Sequence, residues 1–124
     1  MYHGHTCNRT FIASGDHRLL IHRVVDYIGN ANFKIGVAAA GGGMGVLQNK
    51  PNDAEHATVA IEGDVQVRVG LAVQAGQIAT SAASGWAVNV ASSTVQKTLG
   101  RFITGAASGM LATLQLNPHV GPTA

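Results

Sequence analysis

The chain is short of most features that mark a catalytic or secreted domain. It has one cysteine, Cys7, in 124 residues, so no internal disulfide can staple it and stability must come from packing and backbone pairing. Charged residues make up 11% and aromatics 5%, whereas an average soluble domain has about 25% charged residues. No apolar run approaches the ~20 residues of a membrane helix, and no basic segment leads into an apolar one at the start. Neither a membrane span nor a signal peptide is therefore predicted, and the protein is expected to be soluble and made in a reducing cytoplasm. Glycine, 16 residues, and abundant alanine stand where charge is missing. A surface with so little charge is poorly protected against association, which points to a protein that works packed against partners.

The few charges are unevenly spread. Up to Lys34 the chain carries Arg9, Arg18, Arg23 and Lys34 against Asp16 and Asp26, which accounts for the net +2. Beyond that point Lys50, Arg68, Lys97 and Arg101 balance Asp53, Glu55, Glu62 and Asp64. No basic cluster forms and no aromatics interleave with Lys or Arg, so nucleic acid is not the expected partner.

Hydrophobic residues follow period two, punctuated by glycine. In VQVRVG, Val65, Val67 and Val69 face one side while Gln66 and Arg68 face the other, the alternation of a half-buried strand. Strands are predicted over 19–28, 33–37, 46–48, 57–61, 65–69, 77–80, 86–90, 99–104 and 111–116. Helix finds no capping box, and at most a single turn is expected over 94–98. One domain follows, large enough to bury a core. Its expected form is mainly β, a compact β-barrel or β-sandwich of short antiparallel strands spanning 15–117. Residues 1–14 read as an extended N-terminal arm, and 118–124, with two of the three prolines, as a C-terminal tail.

Residues with chemical potential do not assemble into a site. His3, His5 and Cys7 are metal-binding types, but a structural zinc site needs a fourth ligand at set spacing, and the expectation is a flexible arm without metal. The glycines of AGGGMG (40–45) lack the following helix and Lys-Ser/Thr of a phosphate loop. Asp53, Glu55 and His56 cluster in GVLQNKPNDAEHATVAIEG, yet a turn flanked by Lys50 and Asn52 is expected to be solvated, leaving nothing to tune a catalytic pKa. No catalytic residue, cofactor or metal is predicted. The stretch 67–88 has the hairpin rhythm of biotinyl and lipoyl carrier domains, but its tip, SAASGW, lacks the lysine such a carrier modifies. A small β-barrel carrier or ligand-binding domain of enzymatic machinery remains the alternative function.

The same segments, taken in order, resemble the small capsid cement (head decoration) proteins of tailed bacteriophages. The turn at 45–51 (GVLQNKP), the ATV strand at 57–59, the connection at 63–70, the hairpin at 80–87 and the strands at 99–105 and 109–116 follow that family's sequence of motifs. The match covers roughly two-thirds of the chain. It departs at Asn52-Asp53-Ala54-Glu55, where the family usually has Gly-Glu, and residues 1–12 have no clear counterpart.

The resemblance implies a structural, non-enzymatic protein on the outer surface of the virion capsid, bound to the major capsid protein and stabilising the mature head. It also implies a homo-oligomer, a trimer by preference, suited to local threefold positions on an icosahedral shell. On this reading Arg9, Phe11 and Ile12 of the arm are expected to contact capsid subunits. Trp86 is expected in a core or subunit interface, and Asn49 and Pro51 are expected to set the turn.

Overall fold

The structure, a computed structural model, describes residues 6–28, 34–39, 43–89 and 98–119. Nine strands build it: β1 (Thr6–Ala13), β2 (Val24–Tyr27), β3 (Lys34–Val37), β4 (Gly45–Leu47), β5 (His56–Arg68), β6 (Ile78–Ser81), β7 (Ala87–Asn89), β8 (Thr98–Phe102) and β9 (Leu111–His119). One 3-10 turn, Ala83–Gly85, is the helical content among the described residues. All strand pairs are antiparallel except β1 with β3, which run parallel through Ile12↔Lys34 and Ala13↔Ile35.

The strands form one sheet in the order β1-β3-β2-β4-β5-β9-β8-β6-β7, and β1 also pairs with β5. That extra pairing closes β1, β3, β2, β4 and β5 into a ring. A second closure comes from a parallel bridge between Val69, just past β5, and Ala87 at the start of β7, reinforced by the Gly70 N–H donating to the Ala87 carbonyl at 2.9 Å. The two rings share β5, whose 13 residues make it the longest strand among those described.

Two cores follow from two rings. The smaller is drawn from all five strands of the first ring: Phe11, Ala13, Val25, Ile35, Leu47, Ala57 and Val59, with Met44 beside them. The larger gathers Val65, Val67 and Val69 with Leu99, Phe102, Leu114 and Leu116 of the second ring. Val24, Val46 and Ala60 also belong to this larger core. Consecutive residues therefore split between the interiors at three places: Val24/Val25, Val46/Leu47 and Val59/Ala60. A strand buried on both faces needs apolar side chains at every position rather than every second one, and these three pairs supply them.

Several sequence expectations change. Residues 6–13, expected in an arm, form β1, held along β5 from Thr6↔Gly63 to Ile12↔His56. The signal was weak because Phe11 and Ala13 are its buried apolar residues, while Cys7 and Arg9 on the same alternation stay exposed. The strand expected over 19–28 shrinks to β2. Before it, the Leu20 N–H donates to the His17 carbonyl and the Arg23 N–H to the Leu20 carbonyl, closing successive turns, and Leu19 is 92% exposed. The separate strands expected at 57–61 and 65–69 are one continuous β5. At the other end β9 extends to His119, into the expected tail. The helical turn expected at 94–98 falls on residues of which only Thr98 is described, and Thr98 begins β8.

Candidate functional site

The acidic turn serves as a tie between loops. The Asp53 carboxylate accepts the Gly15 N–H at 2.8 Å, and the Glu55 carboxylate accepts the Asn52 N–H at 2.6 Å. Both residues and His56 are exposed. Each carboxylate gives one oxygen to a backbone donor and stays in open solvent, the setting of a tie between loops rather than of a buried acid/base pair. Asn49 clamps the other side of this turn: its side-chain oxygen accepts the Thr58 N–H at 2.9 Å, and its amide donates to the His56 carbonyl at 3.0 Å. Pro51 is buried, and its carbonyl accepts the His17 N–H at 2.9 Å. Asn49 thus pins the 48–56 loop to the start of β5, while Pro51 and Asp53 hold it against the 14–23 loop.

The residues expected to contact a capsid do not share one environment. Arg9 is exposed on β1 and Ile12 is half-buried. Phe11 is only 3% exposed and lies edge-on to Tyr27 with ring centroids 5.9 Å apart. It fills the smaller core and is not available to a neighbouring subunit, which corrects the expectation placed on it. Of the H-x-H-x-C residues, Cys7 is exposed, and His3 and His5 lie outside the described residues, as do Gly41 and Gly42 of the glycine-rich loop.

Trp86 has a more informative setting. It follows the Ala83–Gly85 turn, where Ser84 takes a positive φ of 63°, and its half-buried indole carries the Arg23 guanidinium 4.2 Å from the ring centroid. Arg23 also donates to the Ser84 carbonyl at 3.3 Å, while its Nε is buried without a partner. Beside the indole lies an open cleft of about 380 Å3, walled by Gly70, Leu71, Val88, Ser108 and Gly109 as well as Trp86. Gly70 makes this approach possible, since a Cβ there would come within 2.9 Å of Trp86 Cβ. The walls are locked together: the Gly109 N–H donates to the Val69 carbonyl at 2.7 Å, and the Ser108 hydroxyl to the Gly70 carbonyl at 2.9 Å. Arg68 reaches the same edge, donating to the Gly109 carbonyl at 2.9 Å.

His22 stands next to Arg68, whose backbone N–H donates to the His22 carbonyl at 2.9 Å. Burial, and secondarily the Arg68 charge, push the His22 imidazole below its ordinary pKa, against the weaker opposing effect of a hydrogen bond that the imidazole donates to the Gln66 backbone carbonyl. Sequence reasoning picked out Trp86 by its rarity but not Arg23, Arg68 or His22. They come from β2's approach and the end of β5, more than 40 positions apart for His22 and Arg68, and no local pattern joins them.

Neither a protein-family model nor a curated protein matches this chain. Among solved structures it is similar to the N base of the head fiber protein gp8.5 of bacteriophage phi29. The likeness has a TM-score of 0.71 at 19% sequence identity and covers 91% of this chain and 95% of that one. At that identity, what the two chains demonstrably share is the fold.

Proposed function

We propose that this chain is a structural, non-enzymatic protein of a tailed-bacteriophage head. It binds the outer surface of the major capsid protein shell as a homo-oligomer, preferably a trimer, and stabilises the mature head. The observation that carries this reading is the fold shared, over nearly the full length of both chains, with the base of a phage head fiber. The resemblance of the 45–116 motifs to cement proteins points to the same surface by a separate route.

The physical demands fit. A protein that occupies many equivalent shell positions needs a stiff scaffold and several modest contacts summed by avidity, and it needs no catalytic pocket. Two rings sharing one strand give stiffness, and a chain with 11% charged residues gives surfaces that tolerate close packing. Arg9, exposed on β1, remains a candidate contact.

The deciding measurement is abundance in purified virions. The proposal expects the chain at a copy number comparable to that of the major capsid protein or a fixed fraction of it. It also expects the purified chain to co-sediment with stripped heads and to raise their disruption temperature. Absence from virions together with no binding to heads would overturn it.

A further inference from the structure

We infer that the Trp86 cleft is a docking site for a peptide segment of the capsid subunit that carries apolar side chains and a carboxylate. This rests on the proposed function and specifies which surface of the chain would meet the shell.

Three observations converge. The first is shape and polarity: Gly70, Leu71, Val88 and the Trp86 indole give the cleft its apolar wall, and its volume of about 380 Å3 lies at the low end of the range for ligand pockets. The second is the surface around it. Leu71 is 58% and Met110 60% exposed, and the backbone bonds linking Val69 with Gly109 and Met110 bring the two segments side by side. Apolar surface at the rim thus continues the apolar surface within, as at the desolvated centre of an interface.

The third observation is charge, and it selects the occupant. Arg23, on the indole, and Arg68, at Gly109, are the cationic groups adjoining the cleft walls, with His22 beside Arg68. Among the described residues the ion pair is Arg18 with Asp16, and neither Arg23 nor Arg68 has a carboxylate partner. Both guanidiniums are half-buried and satisfied only in part, by the carbonyls of Ser84 and Gly109. A carboxylate beside an apolar side chain would complete them, and a planar guanidinium favours that partner. A cationic segment would meet two unpaired positive charges and be rejected.

The test uses the full chain and heads stripped of it, with three single variants at exposed positions. Leu71→Glu places a negative charge at the rim, Leu71→Lys removes the same apolar contact but keeps the favourable sign, and Gln115→Glu adds a negative charge on β9, several residues along the strand from the Met110 rim. The expected result is a loss of head binding of about tenfold or more for Leu71→Glu, a smaller loss for Leu71→Lys, and little change for Gln115→Glu. The gap between the two Leu71 variants should narrow as salt rises. Wild-type binding left unchanged by Leu71→Glu overturns the docking site and leaves the proposed function standing. Wild-type chain that binds no heads brings down the proposed function itself. If Leu71→Glu abolishes self-association in sedimentation as well as head binding, the occupant is a second copy of this chain and the capsid-segment assignment is wrong. Equal losses for Leu71→Glu and Leu71→Lys would remove the carboxylate from the proposal.

Discussion

Val24 and Val25 are neighbours in the chain, both inaccessible to solvent, and they lie in different cores. The pair marks β2 as a partition, one face turned to the small ring and the other to the large one. Val46/Leu47 and Val59/Ala60 repeat the arrangement on β4 and β5, and the register lines them up: Val24 faces Val46, Val46 faces Ala60, and Leu47 faces Val59. The two cores meet across these three strands, and a shared wall makes the stability of one depend on the other.

A pair of core truncations tests that dependence. Leu47→Ala empties the small core and Leu114→Ala the large one, and both side chains are fully buried. Each is expected to cost about 2–5 kcal/mol. Because the wall is common, both should shift one cooperative thermal transition followed by circular dichroism. Two separate transitions, with only one moved by each variant, would show that the rings fold independently.

Gly100 gives a sharper expectation. It sits at a φ of 136° where the β8–β9 register shifts, and a Cβ there would collide with the Gln115 carbonyl oxygen. Gly76, at a φ of 92°, has nothing within 4 Å of the same position. Gly76→Ala should therefore cost only the conformational strain, roughly 1–3 kcal/mol, whereas Gly100→Ala adds displacement of backbone in β9 and should be clearly worse. Urea midpoints of the two variants, measured side by side, check the order; equal losses would mean that β9 yields without cost.

Much of the second ring was legible in the sequence because its strands alternate cleanly. Val65, Val67 and Val69 are buried with Gln66 exposed between them, and Ala112, Leu114 and Leu116 are buried with Gln115 exposed. The first ring was harder to read. Its partition strands carry doubled apolar residues that period two does not anticipate, and β1 shows only Phe11 and Ala13 as inward apolar positions. LLIHRVVDYI misled for a different reason. Its β-branched content favours strand, but the backbone of 17–23 is held by bonds to Pro51 and Leu47 and by its own turns, so tertiary contacts override propensity. The cleft could not be read at all, since its walls come from three segments distant in the chain, around Gly70, Trp86 and Ser108, brought together by ring closure at Val69 and Ala87.

Asn49 can be weighed by removing its side chain. Asn49→Ala strips the acceptor from the Thr58 N–H and the donor from the His56 carbonyl. Thr58 is partly buried, so its N–H loses a partner that water replaces poorly, and the expected cost is about 1–3 kcal/mol. Asn49→Asp keeps the acceptor and should retain part of the stability. Denaturant titration of the two variants against wild type tests this, and an Asn49→Ala chain as stable as wild type would remove the clamp from the account of the turn.

Acid stability should depend on His22. Its imidazole is held below the ordinary value of 6.5, first by burial and then by the neighbouring Arg68 charge. Below 6.5 the unfolded chain takes up a proton that the folded chain resists, so the unfolded state binds more protons and stability rises with pH. The contribution is present above 6.5 and is lost as pH falls from there through the lowered folded value. His22 also has a φ of 69°, a conformation that Asn tolerates better than most residues. His22→Asn therefore removes the titration without imposing a new backbone strain. Urea midpoints measured between pH 8 and pH 4 should fall for wild type on the acid side of 6.5, and more steeply than for His22→Asn, with the other histidines present in both chains. Parallel curves for the two proteins across that window would show that His22 takes its proton as readily folded as unfolded.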